Sequence, residues 1–185
     1  MTLKKILTEP NKLLREKSLL VERVDENLQK LMNDMLETMY AAPGIGLAAI
    51  QVGVPKRVIV LDIGWRNKSE STDDEKQVVR KTPMYFVNPE IITKSTNNST
   101  YEEGCLSVPG QFAEIERPEK CHIKYLDYYG QPKELVAEDM LATCIQHEID
   151  HLEGILFIDY LSKLKKSMIV KKLSKQKEQL DRIVI

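Results

Sequence analysis

Long apolar runs are missing from this 185-residue sequence: stretches such as Val58-Ile59-Val60-Leu61 are far too short to span a bilayer. The opening residues, MTLKKILTEPNK, lack the apolar core of a secretory signal. Glu9, Glu16 and the scarcity of serine speak against an organellar transit peptide. Cysteine is scarce as well. Three residues, Cys105, Cys121 and Cys144, cannot all pair, which argues against a disulfide framework and suits a reducing cytosol. An excess of either charge is also missing. With 27 Lys and Arg against 28 Asp and Glu, the formal net charge is -1. No global field then recruits nucleic acid or anionic lipid, and any basic surface must be local. The expectation is a cytoplasmic protein with no membrane partner, in which a free thiol can take part in chemistry.

What is present suffices for a single domain over residues 1–185, with no internal repeat and no dividing linker. Val24 to Tyr40 reads as a helix, because Val24, Leu28, Leu31, Met32, Met35, Leu36 and Met39 share one face. Its methionine-rich stripe reads as core packing, and Ala42-Pro43-Gly44 stops it. Strands are expected over Arg57–Asp62, over Met84–Val87 and Glu90–Lys94 on either side of Asn88-Pro89, and over Cys121–Tyr129, with Glu134–Ala137 as the return of a hairpin. Asn97-Asn98-Ser99 reads as a turn. Gly64 to Thr82 is a polar surface excursion, in which Trp65 is equally an anchor on the body or an exposed loop aromatic. Glu138–Glu153 and Tyr160 to about Arg182 read as two further helices, with Gly154 placed to cap the first. Strands and helices without a βαβ rhythm point to an α+β fold. Mixed or antiparallel sheets would surround the Glu138–Glu153 helix, with one helix near the N-terminus and one at the C-terminus.

The chemistry concentrates in Gln146-His147-Glu148-Ile149-Asp150-His151. Four residues apart on a helix, His147 and His151 differ by only ~40° around the axis and ~6 Å along it. Both imidazoles can reach one metal ion. Glu148 lies beside them without occupying a coordination site, which suits a general base. The bland alternative is an amphipathic helix with two polar-face histidines. Against it, two of the chain's three histidines lie here, astride a glutamate.

Two histidines hold a metal poorly, and the third ligand separates reaction classes. One group of zinc peptidases uses a histidine six residues after the second; here that position is Phe157. Another uses a downstream glutamate; Glu178 is at a suitable distance but sits in a polar helical run, Lys175-Gln176-Lys177-Glu178-Gln179. Of the cysteines, Cys144 shares the helix but lies ~10 Å along the axis from His151 and reads as a small core residue. Cys121 opens a strand in an unremarkable context. Cys105 follows Gly104 and precedes Leu106, whose main-chain N–H can face the same pocket. Spacing prefers Cys105 without deciding among the three.

Three stretches together resemble one family, the peptide deformylases: Gly44-Ile45-Gly46-Leu47-Ala48-Ala49-Ile50-Gln51, Glu103-Gly104-Cys105-Leu106-Ser107, and Gln146 to Gly154. All three match in the family's order, and the resemblance covers most of the chain. It implies Cys105, His147 and His151 as metal ligands and Glu148 as acid/base. The Gln51 side-chain amide and the Leu106 N–H become oxyanion donors, and Ile45, Gly46 and Gly104 line the substrate cleft. The implied reaction removes the formyl group from the N-terminal formyl-methionine of new proteins, giving formate and a free amine. Without the resemblance, Gly44–Gln51 reads equally well as a plain turn and an apolar segment.

The family commonly uses Fe(II), with nickel, cobalt or zinc able to replace it, and a thiolate ligand makes the site electron-rich and soft. An Fe(II)–thiolate site is expected to be sensitive to oxygen and peroxide. Gly64–Thr82 looks longer than the matching loop of the simplest members, as a neutral insertion or a modulator of access. Residues 159–185 carry eight basic and three acidic residues, a net +5. Deformylases with such a helix can dock on the ribosome; the alternative is a solvated helix packed on the domain. Under the docking reading, deletion of residues 168–185 would weaken ribosome binding and spare activity on a short peptide.

Overall fold

The computed structural model describes residues 2–65 and 81–183 of the chain. Among the described residues, seven strands and three α-helices follow one another as α1 (Glu26–Ala41), β1 (Gly46–Ala48), β2 (Val58–Leu61), β3 (Met84–Lys94), β4 (Asn98–Cys105), β5 (Val108–Pro118), β6 (Lys120–Leu126), β7 (Pro132–Glu138), α2 (Asp139–Leu152) and α3 (Lys163–Ile183). All pairings between strands are antiparallel. One sheet has the order β1-β2-β3-β6-β7, and β4 and β5 form a separate hairpin. The α+β class is borne out.

The larger sheet is covered on both faces. On one side Ile59, Leu61, Phe86, Ile123 and Ala137 pack against Ala142, Ile145, Ile149 and Leu152 of α2. On the other, Leu47, Val58, Val60 and Val87 pack against Leu28, Met32, Met35, Leu36 and Met39 of α1. This accounts for the unbroken apolar run of β2: its alternate residues face two different helices, so neither face is polar. The methionines of α1 pack the core, as their spacing predicts. Its start is set by Asp25, whose carboxylate accepts the Leu28 N–H at 2.9 Å. Gly154 has φ +74°, and a Cβ there would run into the backbone carbonyl of Arg15. Glycine at this cap therefore lets α2 end against the N-terminal segment.

Three boundaries differ from expectation. Met84–Lys94 is one strand, not two. Asn88 (φ +51°) forms a bulge, shifting the register between Val87 and Glu90, and its side-chain amide bonds the Val21 backbone through both its oxygen and its nitrogen. Asn98 and Ser99 start β4 rather than a turn. The β4–β5 hairpin was not expected at all, because its outward positions are charged and its sequence contains Pro109 and Gly110. Between residues 66 and 80 the polar excursion lies outside the described residues, but Trp65 is an anchor, not an exposed aromatic. Its indole N–H donates to the Gly44 carbonyl at 2.8 Å.

A third apolar cluster joins Val108 and Ile115 of β5 to Leu156, Phe157, Ile158 and Leu173, so α3 packs on the hairpin through one face. Asp159 ties this corner together. It accepts the Leu156 N–H at 2.8 Å and pairs with Arg15 and Lys166, both at 2.6 Å. Burial pushes its carboxyl up, but these donors outweigh it and hold the pKa below the usual value. A depressed carboxylate contributes stability above its unfolded pKa of about 3.9, and loses it as pH falls through the lower folded value. Asp159→Asn is therefore expected to melt below wild type near neutral pH and with it at about pH 2. Parallel melting curves across that range would refute the assignment.

Candidate metal centre

Cys105 at the end of β4 and His147 and His151 on α2 bring one ligand atom each to within 4.8 Å of one another. Cys105 Sγ lies 3.2 Å from His151 Nε2. Each element contributes for a local reason. The i, i+4 spacing puts both histidines on one face of α2. The register shift between Gly104 and Cys105, where Cys105 pairs with Val108, turns the end of β4 towards that face. A soft thiolate with two imidazoles is a donor set that divalent transition metals bind. Among the described residues, this is the cluster with metal-ligand spacing.

The alternatives weighed for the third ligand stay away. Cys121 and Cys144 are buried in the core beneath the larger sheet, though Cys144 also borders the cleft. Burial pushes the Cys144 thiol up to about 12, so it stays protonated. Glu178 is exposed on α3. Phe157, where one peptidase group needs histidine, is buried in the third cluster and stacks its ring on His147.

Hydrogen bonds orient the candidate ligands. His147 Nδ1 contacts Glu103 Oε2 at 2.7 Å, which leaves Nε2 for the cluster. Glu103 in turn accepts from Arg117 Nε and Nη2. Arg117 extends the chain to Asp150 at 2.7 Å, and Tyr160 donates its hydroxyl to the same carboxylate at 2.9 Å. Burial raises the Glu103 carboxyl, but His147 and Arg117 outweigh it and keep it below its usual value. Burial lowers both histidines. At His147 the Cys105 and Glu103 contacts reverse this, whereas at His151 burial and the neighbouring His147 leave the pKa well below normal. His151 is thus neutral with a lone pair to offer.

Glu148 is 5% exposed, and its Oε2 has no hydrogen-bond partner. Burial raises its pKa to about 7, with His147 opposing and Glu103 assisting. Gln51 is held at both ends. Its Oε1 accepts the Ala48 N–H at 2.8 Å, while Nε2 donates to Ser107 Oγ at 3.0 Å and to Cys105 Sγ at 3.5 Å. The Ser107 N–H also points at Cys105 Sγ, at 3.4 Å. Both donors hold the Cys105 sulfur beside Gln51 and Ser107.

The cluster opens into a cleft of about 530 Å³, lined by Ile45, Gly46, Gly104, Leu106, Phe112 and Glu148 among others. That is room for a short peptide rather than a folded surface. Two glycines sit tight against the cleft: a Cβ at Gly46 would strike buried Glu148 Oε1, and one at Gly104 would lie 2.6 Å from the Phe112 ring, which would have to swing away. Every site residue expected from the sequence is therefore at or beside the cleft. Ser107, Arg117, Asp150 and Tyr160 were not expected. A signal existed for Arg117, since it shares a strand face with buried Ile115, and a buried arginine needs acidic partners.

The family model for polypeptide deformylase matches residues 3–167. Among curated relatives, the peptide deformylase of Pelagibacter ubique (strain HTCC1062) is 63% identical over 185 residues, covering 100% of both chains. That of Maricaulis maris (strain MCS10) is 54% identical, with 98% of each covered. Among solved structures, peptide deformylase from Ehrlichia chaffeensis in complex with actinonin superposes with a TM-score of 0.84 at 42% identity, covering 95% of this chain and 98% of that one. The Legionella pneumophila enzyme gives 0.83 at 45% identity, with coverage of 98% and 99%.

Proposed function

Since the chain belongs to the polypeptide deformylase family, we propose that Cys105, His147 and His151 hold its catalytic metal ion beside Glu148. The protein is a hydrolase that removes the formyl group from the N-terminal formyl-methionine of newly made proteins and releases formate. The convergence of one sulfur and two imidazole nitrogens within 4.8 Å carries the reading of the centre. The family resemblance points to Fe(II) as the ion; zinc, nickel and cobalt satisfy the same donors. Residues 1–185 act as one catalytic unit.

When bound, the ion supplies Lewis acidity, drawing charge from a carbonyl and letting water deprotonate near neutral pH. The remaining work falls to the chain. Glu148 takes the proton of the attacking water and passes it to the departing amine, which leaves poorly as an anion. Its isolation from other hydrogen-bond partners suits a group that must change protonation during each turnover. Gln51 and the Leu106 N–H donate to the carbonyl oxygen as it gains charge; one such donor typically contributes ~3–4 kcal/mol. One Gln51 amide proton is engaged by Ser107, and the other makes only the loose 3.5 Å contact with Cys105, so it is the one available. Ile45, Gly46 and Gly104 receive the peptide backbone at the open edge of β1 and beside Phe112. The test is formate release from formyl-Met-Ala-Ser by anaerobic, iron-loaded protein. Well-folded, loaded protein that released none would overturn the reading.

No described helix is long and apolar enough to cross a membrane. Docking on the ribosome through α3 is a finer proposal, supported by its lysines. Deletion of residues 168–185 does not test it cleanly, because Leu173 is buried in the third cluster. Exposed Lys171, Lys172 and Lys175 are better targets. Reversing all three to glutamate is expected to lower the slope of log K against log salt in ribosome co-sedimentation by about 2–3, with formate release unaltered. Unchanged co-sedimentation would remove α3 from the interface.

A further inference from the structure

The cleft wall formed by Gly44-Ile45-Gly46 is gripped from behind by a polar knot outside the metal centre. Asp62, fully buried just after β2, is its hub. Its carboxylate accepts the backbone N–H groups of Gly64, Trp65 and Thr82 at 3.1, 3.2 and 2.8 Å, and the Tyr40 hydroxyl at 2.7 Å. The Asp62 N–H donates to the Ile45 carbonyl at 2.9 Å. By antiparallel alternation, the Gly46 N–H and C=O then turn to the unpaired edge of β1.

Trp65 completes the grip. Its ring stands edge-on to Tyr40, with centroids 5.2 Å apart, and its indole N–H donates to the Gly44 carbonyl at 2.8 Å. On the cleft side the same wall has almost no slack. A Cβ on Gly44 would come within 2.7 Å of Leu106 Cδ1, and one on Gly46 would strike Glu148 Oε1. The Gly44 carbonyl is held from outside by Trp65, beside the Asp62 bond to the Ile45 carbonyl.

We infer that Trp65 is a positioning residue for the formyl-peptide: through the Gly44 carbonyl it sets the wall along which the substrate backbone lies. This rests on the reading of Ile45 and Gly46 as the peptide-receiving edge. Trp65 bonds Gly44 and Asp62 and packs on Tyr40 rather than on the metal cluster or Glu148, so the chemical step does not call on it. Loss of the grip weakens binding only for substrates whose backbone reaches the wall.

Trp65→Phe keeps the packing on Tyr40 and removes the donor. With iron-loaded protein, KM for formyl-Met-Ala-Ser is expected to rise roughly 3- to 10-fold, the range one lost hydrogen bond allows. The turnover number should stay within about 2-fold, as should KM for formyl-methionine, which has no following backbone. A tripeptide KM equal to wild type, or equal losses on both substrates, would overturn the inference. Because Trp65 is the sole tryptophan in the chain, wild-type emission gives an independent readout. Titration with the unreactive product Met-Ala-Ser should shift it saturably, and unchanged emission at saturation counts against the role. Wild-type protein inactive on both formyl substrates would instead overturn the deformylase reading beneath.

Discussion

Replacing Glu148 by alanine is expected to leave the metal bound and to lower formate release by about 10²- to 10⁴-fold, the usual contribution of a positioned acid/base. The carboxylate is buried beside both histidines but belongs to none of the ligand positions. Under the proposed role, its removal takes away the proton carrier without taking away one of the clustered donors. Metal content by elemental analysis and formate release on the same preparation separate the two effects. The pH profile adds a second check. Glu148 must be ionised to accept a proton, so wild-type activity rises with pH through its pKa. Burial places that value at about 7 in the protein alone, and a cation on the neighbouring ligands draws it down. The acid limb therefore lies at or below pH 7 and is absent from the residual activity of Glu148→Ala. A variant that lost its metal, or kept wild-type turnover, would end this assignment.

Glu103→Ala is expected to be the most destabilising single change near the site. Glu103 and Arg117 are both nearly fully buried, at 6% and 3% exposure. Breaking a buried pair leaves an uncompensated charge and costs about 3–5 kcal/mol. Asp150 still faces Arg117, which places this case at the low end. For a chain of this size, ~3 kcal/mol corresponds to a fall in Tm of roughly 6–12 °C. The same change frees His147 Nδ1, so metal affinity should weaken about 10- to 100-fold. Competition with a chelator measures the second effect and thermal melting the first. A variant with wild-type melting and wild-type affinity would show that the Arg117–Glu103–His147 chain orients nothing.

The contrast between these two residues shows what was legible. Glu148 stands in a short motif whose geometry follows from helical pitch alone, so its place beside two imidazoles could be read without a fold. Glu103 was visible only as a member of the Glu103–Ser107 stretch. Its partner Arg117 lies 14 residues on along a hairpin that the sequence hid. Charged outward positions, a proline and a glycine obscure the strand alternation of β4 and β5. Ser107 was equally silent, since nothing local says that a serine will be fully buried and will hold the Gln51 amide.

The choice of third ligand divides along the same line. By itself the sequence determined the helix, the pairing of His147 with His151 and the adjacency of Glu148, because contacts four residues apart are set by backbone periodicity. It also determined that Phe157 cannot serve as a histidine would. Resemblance aside, only the tertiary structure decided that Cys105, and not Cys121, Cys144 or Glu178, meets the two imidazoles. It likewise decided that Trp65 faces inward onto Gly44. Those contacts join segments distant along the chain, and their geometry depends on how the hairpin and the larger sheet pack around α2, which no local pattern encodes.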